Sequence, residues 1–134
     1  METIIQNAVK ITEDGVTTYL ISANRHHYNK YTFKDGSYIA VDGGTDYIRR
    51  GFGGDTESKD IEDFNLSITS TKQEVIDKLL WGTLGENRKG PIHYVPLSTL
   101  TQQHLRNILR DDLYGKFSYP LSEIHKTSIQ YLIQ

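Results

Sequence analysis

The sequence contains no cysteine, only three prolines and no long hydrophobic run. Without cysteine, disulfide bonds and thiolate zinc sites are excluded, and a reducing cytoplasm is the expected compartment. The longest apolar runs are only a few residues, too short to span a membrane, and residues 1–5 lack the pattern of a signal peptide. We therefore expect a cytoplasmic protein that does not enter a membrane.

An excess of charge of one sign is also missing, since 15 basic residues face 17 acidic ones and the net charge is -2. Electrostatic binding of DNA or RNA by the chain as a whole is therefore not expected. Hydrophobic residues make up only 37% of the 134 residues, which leaves room for a partner subunit to complete the core. Tyrosine, in contrast, is abundant, and its flat face and polar tip suit strands and ligand surfaces.

Residues 1–70 carry the pattern of antiparallel β-structure. Two Asp-Gly pairs, Asp14-Gly15 and Asp35-Gly36, separate apolar segments, which is a strong signal for hairpins. Residues 51–62 are glycine-rich and acidic and are predicted to form a loop. Strands are predicted at six segments: 9–11, 16–21, 31–33, 38–41, 47–50 and 64–68.

Residues 71–134 carry helix signals. Thr71 and Glu74 form a capping box that predicts a first helix, which Gly82 is expected to end. After a loop over 85–91 and a strand over 92–95, Thr101 caps a second helix, and a third begins near Ser122. The apolar faces of the first two helices consist of Val75, Ile76, Leu79 and Leu80, and of Leu105, Ile108 and Leu109.

The pattern as a whole predicts one α+β domain over residues 1–134, with an antiparallel β-sheet formed as a meander of hairpins and then α-helices. The predicted second helix has a polar face, because Gln103, Arg106, Asn107 and Arg110 fall at i, i+3, i+4 and i+7. Two arginines one turn apart can straddle a pyrophosphate, and an amide can bind a ribose or a base edge. The alternative interpretation is an ordinary solvated helix face.

Trp81 is the single tryptophan and precedes a loop that contains Asn87 and Arg88. Its ring can stack on a nucleobase, and the loop residues can contact the same ligand. The alternative interpretations are a core anchor for Trp81 and ordinary turn chemistry for the loop.

Two segments of the first half, residues 24–28 and 42–51, combine cations, aromatic rings and glycines. Arginine forks match phosphate oxygens, and glycines let backbone N–H groups approach a ligand closely. His26 and His27 are adjacent and on a strand would face opposite sides, so they do not suggest a chelating pair, and no metal site is expected. No nucleophile or two-acid motif stands beside them, so the segments suggest nucleotide capture more than conversion. Asp42-Gly43-Gly44 can equally be a turn that ends a strand.

With these motifs the chain, over roughly residues 16–110, resembles small phage proteins of the first-described Thoeris anti-defence family. The distinctive element is Asp-Gly-Gly-x-Asp-Tyr-x-Arg-Arg at 42–50. The other matching segments are 25–28, 67–70, 81–83, 94–98 and 104–109.

The resemblance implies a molecular sponge in the cytoplasm of an infected or lysogenic bacterial host. Such proteins bind the cyclic ADP-ribose isomers (gcADPR) made by TIR-domain proteins of Thoeris immunity and do not cleave them. Some members also bind cyclic trinucleotides of the CBASS system at a separate site. The family fold is an antiparallel sheet followed by two helices, and members form dimers and hexamers. No catalytic residue and no cofactor is implied.

Carried onto this sequence, the resemblance implies two sets of ligand-binding residues. The ADP-ribose isomer is expected at Arg106, Arg110, Asn107, Asn87 and Trp81. The trinucleotide is expected at Arg25, His26, His27 and Tyr28, where several subunits meet.

Two other functions remain open from the sequence. One is an enzyme that hydrolyses or cyclises such nucleotides, with His26, His27 or His104 as the acid–base group, because imidazole titrates near neutrality. The other is an inhibitor that binds a protein and takes no small ligand. Turnover of the nucleotide distinguishes the first from a sponge, and the absence of any nucleotide-dependent stabilisation distinguishes the second.

Overall fold

The computed structural model describes residues 3–83, 92–117 and 120–133. Antiparallel strands dominate the N-terminal part of the chain and helices the C-terminal part, so the expected α+β class is confirmed. The chain forms two compact units, one of residues 1–70 with 82–94 and the other of residues 71–81 with 95–134. Every helix of the described residues is too short or too polar to cross a membrane.

The first unit contains eight strands in its described residues up to position 70. They are β1 (Ile4–Gln6), β2 (Ala8–Glu13), β3 (Val16–Ile21), β4 (Asn29–Thr32), β5 (Tyr38–Asp42), β6 (Arg49–Gly53), β7 (Asp60–Asp63) and β8 (Leu66–Ser67). Two three-stranded antiparallel sheets have the orders β3-β2-β7 and β4-β5-β6, and β1 pairs with β8.

Both three-stranded sheets contribute to one hydrophobic core, whose members include Val9 and Ile11 of β2 and Ile39 and Val41 of β5. The β2–β3 hairpin turns at Asp14 and Gly15 with φ of 52° and 78°, values that Asp-Gly provides at low cost. Both predicted hairpins are confirmed, because β2 pairs with β3 and β4 pairs with β5.

Three strand predictions need correction. The strand predicted at 47–50 starts at Arg49 and continues to Gly53, and residues 60–63 of the predicted loop form β7. Long-range pairing with β5 and β2 outweighs the weak local propensity of these glycine-rich and acidic segments. In the segment 64–68 only Leu66–Ser67 forms a strand, and the Ile68 side chain is exposed.

The second unit contains α1 (Lys72–Lys78), a 3₁₀ turn (Leu97–Thr99), α2 (Gln102–Leu113) and α3 (Glu123–Leu132). The predicted caps at Thr71 and Thr101 are confirmed, since each hydroxyl accepts a backbone N–H three residues on, and the third helix begins after Ser122, whose hydroxyl caps it in the same way. The prediction that Gly82 ends the first helix is wrong. The helix ends at Lys78, because Leu79 is extended and Gly82 belongs to β9 (Leu80–Thr83), which pairs with β10 (His93–Pro96).

Candidate functional site

The predicted site residues fall in both compact units. Arg25, His26, His27 and Tyr28 belong to the first unit, and Trp81, Arg106, Asn107 and Arg110 belong to the second. Asn87 and Arg88 lie outside the described residues. The described members of each predicted set therefore lie within a single unit.

Residues 24–27 form a turn rather than the strand on which the two histidines were expected to face opposite sides. The Asn24 side chain accepts the backbone N–H of His26 at 3.1 Å, and the Asn24 carbonyl accepts that of His27 at 2.9 Å. Asparagine favours such turns because its side chain bonds the backbone two residues on. Nδ1 of His27 accepts the Ala23 N–H at 2.9 Å, so this imidazole is held against its own loop.

The glycines at 43 and 44 serve the protein's own backbone and do not present N–H groups to a ligand. Both are buried and have positive φ, 100° and 55°. The N–H of Gly43 donates to Oδ1 of Asp42, and the N–H of Gly44 donates to Oγ of Ser22, both at 2.9 Å. The segment is thus a structured turn, as the simpler interpretation of Asp42-Gly43-Gly44 predicted.

A fully buried asparagine, Asn7, stabilises this turn through side-chain hydrogen bonds. Its side-chain amide donates to the carbonyl oxygens of Asp42, Gly44 and Tyr47 at 2.8–3.2 Å. One amide group meets three acceptors, so this short stretch of backbone is tied to the residue that precedes β2. Nothing in the sequence spacing indicates this role for Asn7.

Of the two adjacent arginines of the motif, Arg50 is structural. Its guanidinium donates to Oδ1 of Asn7 at 2.6 Å and to Oδ1 of Asn65 at 2.8 Å, and it lies 3.6 Å from the Asp63 carboxylate. Burial lowers the pKa of Arg50 from its ordinary value, while Asp63 opposes that shift. Arg49 on the same strand is exposed. Of the two adjacent arginines, Arg50 therefore has a structural role and Arg49 lies at the surface.

A pocket of about 410 Å³ in the first unit is lined by Tyr28, Asp42, Arg49, Arg50 and Gly51. It joins one residue of the predicted trinucleotide set, Tyr28, to the Asp-Gly-Gly motif. Arg25 is not a lining residue of this pocket, but it contacts the same motif, because its Nε lies 3.4 Å from the Asp46 carboxylate. Asp42 and Arg49 were not among the predicted site residues, because the register of β5 with β6 is what brings them together.

In the second unit, α2 contains all four residues of the predicted polar face, at the spacing of one helix side. Nε2 of Gln103 donates to Oδ1 of Asn107 at 2.9 Å. Arg106 and Arg110 are exposed, and Nε of Arg110 lies 3.6 Å from the Asp111 carboxylate. Guanidinium groups and amides on such a face are suited to bind phosphate and hydroxyl groups.

Trp81 lies on β9 and is half-buried. Its ring meets Phe117 and His125 edge-to-face, with centroid distances of 5.9 Å to each. His125 hydrogen-bonds the Leu80 carbonyl through Nε2 at 3.0 Å, and burial lowers the pKa of His125. Phe117 also lines a pocket of about 260 Å³ with Asp112, Gly115 and Pro120. Neither Phe117 nor His125 is indicated by any sequence spacing as a neighbour of Trp81.

Among the residues that the structure describes, no group of three or more His, Asp or Glu side chains is arranged to hold a metal ion. Comparison of the chain with protein families, with curated proteins and with solved structures found no match.

Proposed function

We propose that this protein is an anti-defence sponge that binds cyclic ADP-ribose isomers made by TIR-domain proteins and releases them unchanged. The observation that carries the proposal is the exposed face of α2, where Arg106 and Arg110 stand one turn apart. Along a helix this spacing corresponds to roughly 6 Å, which lets two guanidinium forks reach the two phosphates of a pyrophosphate. The resemblance to the Thoeris anti-defence family supplies the ligand class.

The amide pair beside the arginines adds hydrogen-bonding groups for the sugars. Because Nε2 of Gln103 donates to Oδ1 of Asn107, the pair keeps the Gln103 oxygen as an acceptor and the Asn107 NH₂ as a donor. Guanidinium and amide groups do not exchange protons near neutral pH, so this face suits binding rather than conversion. In the proposed complex Trp81 contacts the adenine and the protein acts as a dimer or hexamer in the bacterial cytoplasm.

The test is to incubate the purified protein with a TIR-derived cyclic ADP-ribose isomer, remove free ligand, heat-denature the protein and analyse the supernatant by mass spectrometry. Intact ligand that is retained only with protein supports the sponge. A converted product identifies an enzyme, for which His26 and His27 are the acid–base candidates. Neither retention nor conversion contradicts the proposal and leaves a protein-binding inhibitor.

Three variants sharpen this test. Arg106→Ala with Arg110→Ala should abolish retention, and Arg106→Lys with Arg110→Lys should weaken it, because lysine keeps the charge but lacks the planar fork. Lys10→Ala with Lys34→Ala removes the same charge from surface ion pairs of the first unit and should retain the ligand. Circular dichroism checks that all three fold. Retention by the arginine-to-alanine variant would contradict the role of α2.

A second proposed site takes cyclic trinucleotides at Arg25, His26, His27 and Tyr28. The side chain of Arg25 is 69% exposed and the residue Tyr28 is 57% exposed, which leaves a cation and a ring open to a ligand. Excess trinucleotide should then leave retention of the ADP-ribose isomer unchanged, whereas Arg25→Ala with Tyr28→Ala should lose only the trinucleotide. Competition between the two ligands would contradict separate sites.

A further inference from the structure

One row of side chains crosses the β4-β5-β6 sheet at its end. Asp42 pairs directly with Arg49, and Asn29 pairs with Val41, so Tyr28 continues the same register beside Asp42. Neighbouring residues of a strand face opposite sides, and Val41 is buried in the core. Tyr28, Asp42 and Arg49 therefore share the outer face of this sheet.

The next row on this outer face has two small residues at its centre, of which Ala40 is buried and Gly51 is partly exposed. Lys30 pairs with Ala40, and Ala40 pairs with Gly51. A Cβ placed on Gly51 would lie 3.5 Å from the Ala40 Cβ, which is ordinary contact, so the glycine keeps the surface flat without being required by the fold. The ring of Tyr38 closes one side, with Nζ of Lys30 5.0 Å from its centroid.

The two charged groups of the row are open to a ligand. Within the described residues the Arg49 guanidinium forms no hydrogen bond or ion pair, and the side chain is exposed. Asp42 uses Oδ1 to accept the Gly43 N–H, while within the same residues Oδ2 has no hydrogen-bond partner. A cation and a carboxylate thus line one pocket of about 410 Å³ without neutralising each other in an ion pair.

We infer that this outer face binds a guanine nucleotide. The base lies against Gly51, which lines the pocket, beside the Tyr28 ring. The Asp42 carboxylate accepts hydrogen bonds from guanine N1–H and from the exocyclic amine, because each carboxylate oxygen can accept more than one. Arg49 and Lys30 supply positive charge for the phosphate. The site is independent of α2, and it shares Tyr28 with the second site proposed above.

The Asp42 carboxylate is the group that favours guanine over adenine at this site. Guanine presents two adjacent donors on its Watson–Crick edge, whereas adenine presents an acceptor at N1 that the Asp42 carboxylate repels. A site that hydrogen-bonds donor groups rejects a ligand without them because its own polar atoms then lose their partners. A pocket of this size also falls within the range that holds small ligands.

The test is isothermal titration calorimetry of the full chain with GMP, AMP, guanosine and inorganic phosphate. We expect GMP to bind at least tenfold more tightly than AMP, and guanosine to bind more weakly than GMP because it lacks the phosphate. Equal binding of GMP and AMP overturns the guanine assignment. Absence of GMP binding overturns the site, and binding of phosphate as tight as that of GMP overturns a role for the base.

Two variants test recognition of the base, and a third tests recognition of the phosphate. Asp42→Asn should remove the preference for GMP over AMP, and Gly51→Val should place a side chain where the base lies, with little effect on the fold. Arg49→Gln should reduce the gain of GMP over guanosine. Asp60→Asn and Lys34→Gln are the matched controls, because both residues are exposed and lie outside this face. If Asp42→Asn unfolds, as circular dichroism would reveal, Gly51→Val decides alone: unchanged GMP binding by this variant overturns the proposal.

Discussion

The backbone of Gly44 lies against that of Asn24, since a Cβ on Gly44 would be 2.1 Å from the Asn24 carbonyl carbon. Ser22 bridges the same contact, because its hydroxyl accepts the Gly44 N–H and donates to the His27 carbonyl. The turn after β5 and the loop before β4 therefore pack against each other and are joined by the hydrogen bonds of Ser22. The pairing of β4 with β5 places Tyr28 beside Asp42, and this contact packs the loop that precedes Tyr28 against the same turn.

Replacement of Gly44 by alanine should be among the most destabilising single changes in the first unit. Gly15→Ala is the control, because Gly15 also has a positive φ but nothing within 4 Å of its added Cβ. The control should cost about 1 kcal/mol from backbone conformation alone. Gly44→Ala should cost a further 1–3 kcal/mol or so from the steric overlap. Urea denaturation measures both, and equal losses would show that the Gly44–Asn24 contact relaxes freely.

The adjacent arginines of β6 should respond very differently to alanine. Arg50→Ala leaves Oδ1 of Asn7 without its donor and removes one of the two donors to Oδ1 of Asn65, which also accepts the Ala8 N–H, and this should lower the free energy of unfolding by about 1–3 kcal/mol. Arg49→Ala changes an exposed side chain and should stay within about 0.5 kcal/mol. Chemical denaturation of the two variants side by side gives the comparison. Similar values for both would remove the distinction between a structural and a surface arginine.

The capping box of α1 provides a test in the second unit. The Thr71 hydroxyl accepts the Glu74 N–H at 3.1 Å, and the Glu74 carboxylate accepts the Thr71 N–H at 3.2 Å. Thr71→Ala removes the first bond and should cost about 1 kcal/mol. Thr71→Ser keeps the hydroxyl and should recover most of that loss. Thermal denaturation followed by helical ellipticity measures both, and an equally large loss for serine would point to the threonine methyl group instead.

The features that sequence predicted correctly are local ones. The Asp14-Gly15 turn and the caps at Thr71 and Thr101 depend on residues within three or four positions of each other. The missed strands depend on distant partners. Asp60–Asp63 becomes a strand only because β2, about fifty residues earlier, offers its edge.

The candidate sites divide in the same way. The polar face of α2 follows from helical spacing, so its four residues could be aligned from sequence alone. The row of Tyr28, Asp42 and Arg49 needs two hairpin registers, and the register of β6 could not be known while that strand was placed two residues too early. The contact of Trp81 with His125 joins positions 44 residues apart and has no signal in spacing.

The burial of His125, whose ring also contacts Trp81, makes the second unit sensitive to acid. Burial lowers the pKa of His125 below its ordinary value of 6.5, so the neutral ring is the form that the folded protein favours. As pH falls below 6.5, the unfolded chain takes up a proton that the folded chain refuses, and the folded state loses stability until the pH reaches the lowered pKa. The slope for one proton is at most about 1.4 kcal/mol per pH unit.

We therefore expect the free energy of unfolding, followed through the fluorescence of Trp81, to fall between pH 7 and pH 5. His125→Gln should flatten this dependence, because glutamine has no titrating ring yet retains an NH₂ group that can donate to the Leu80 carbonyl. His93→Gln is the matched control, because His93 is exposed, and it should keep the slope of the unmodified protein. The same slope in the His125→Gln variant would mean that another group, and not this buried imidazole, responds to acid.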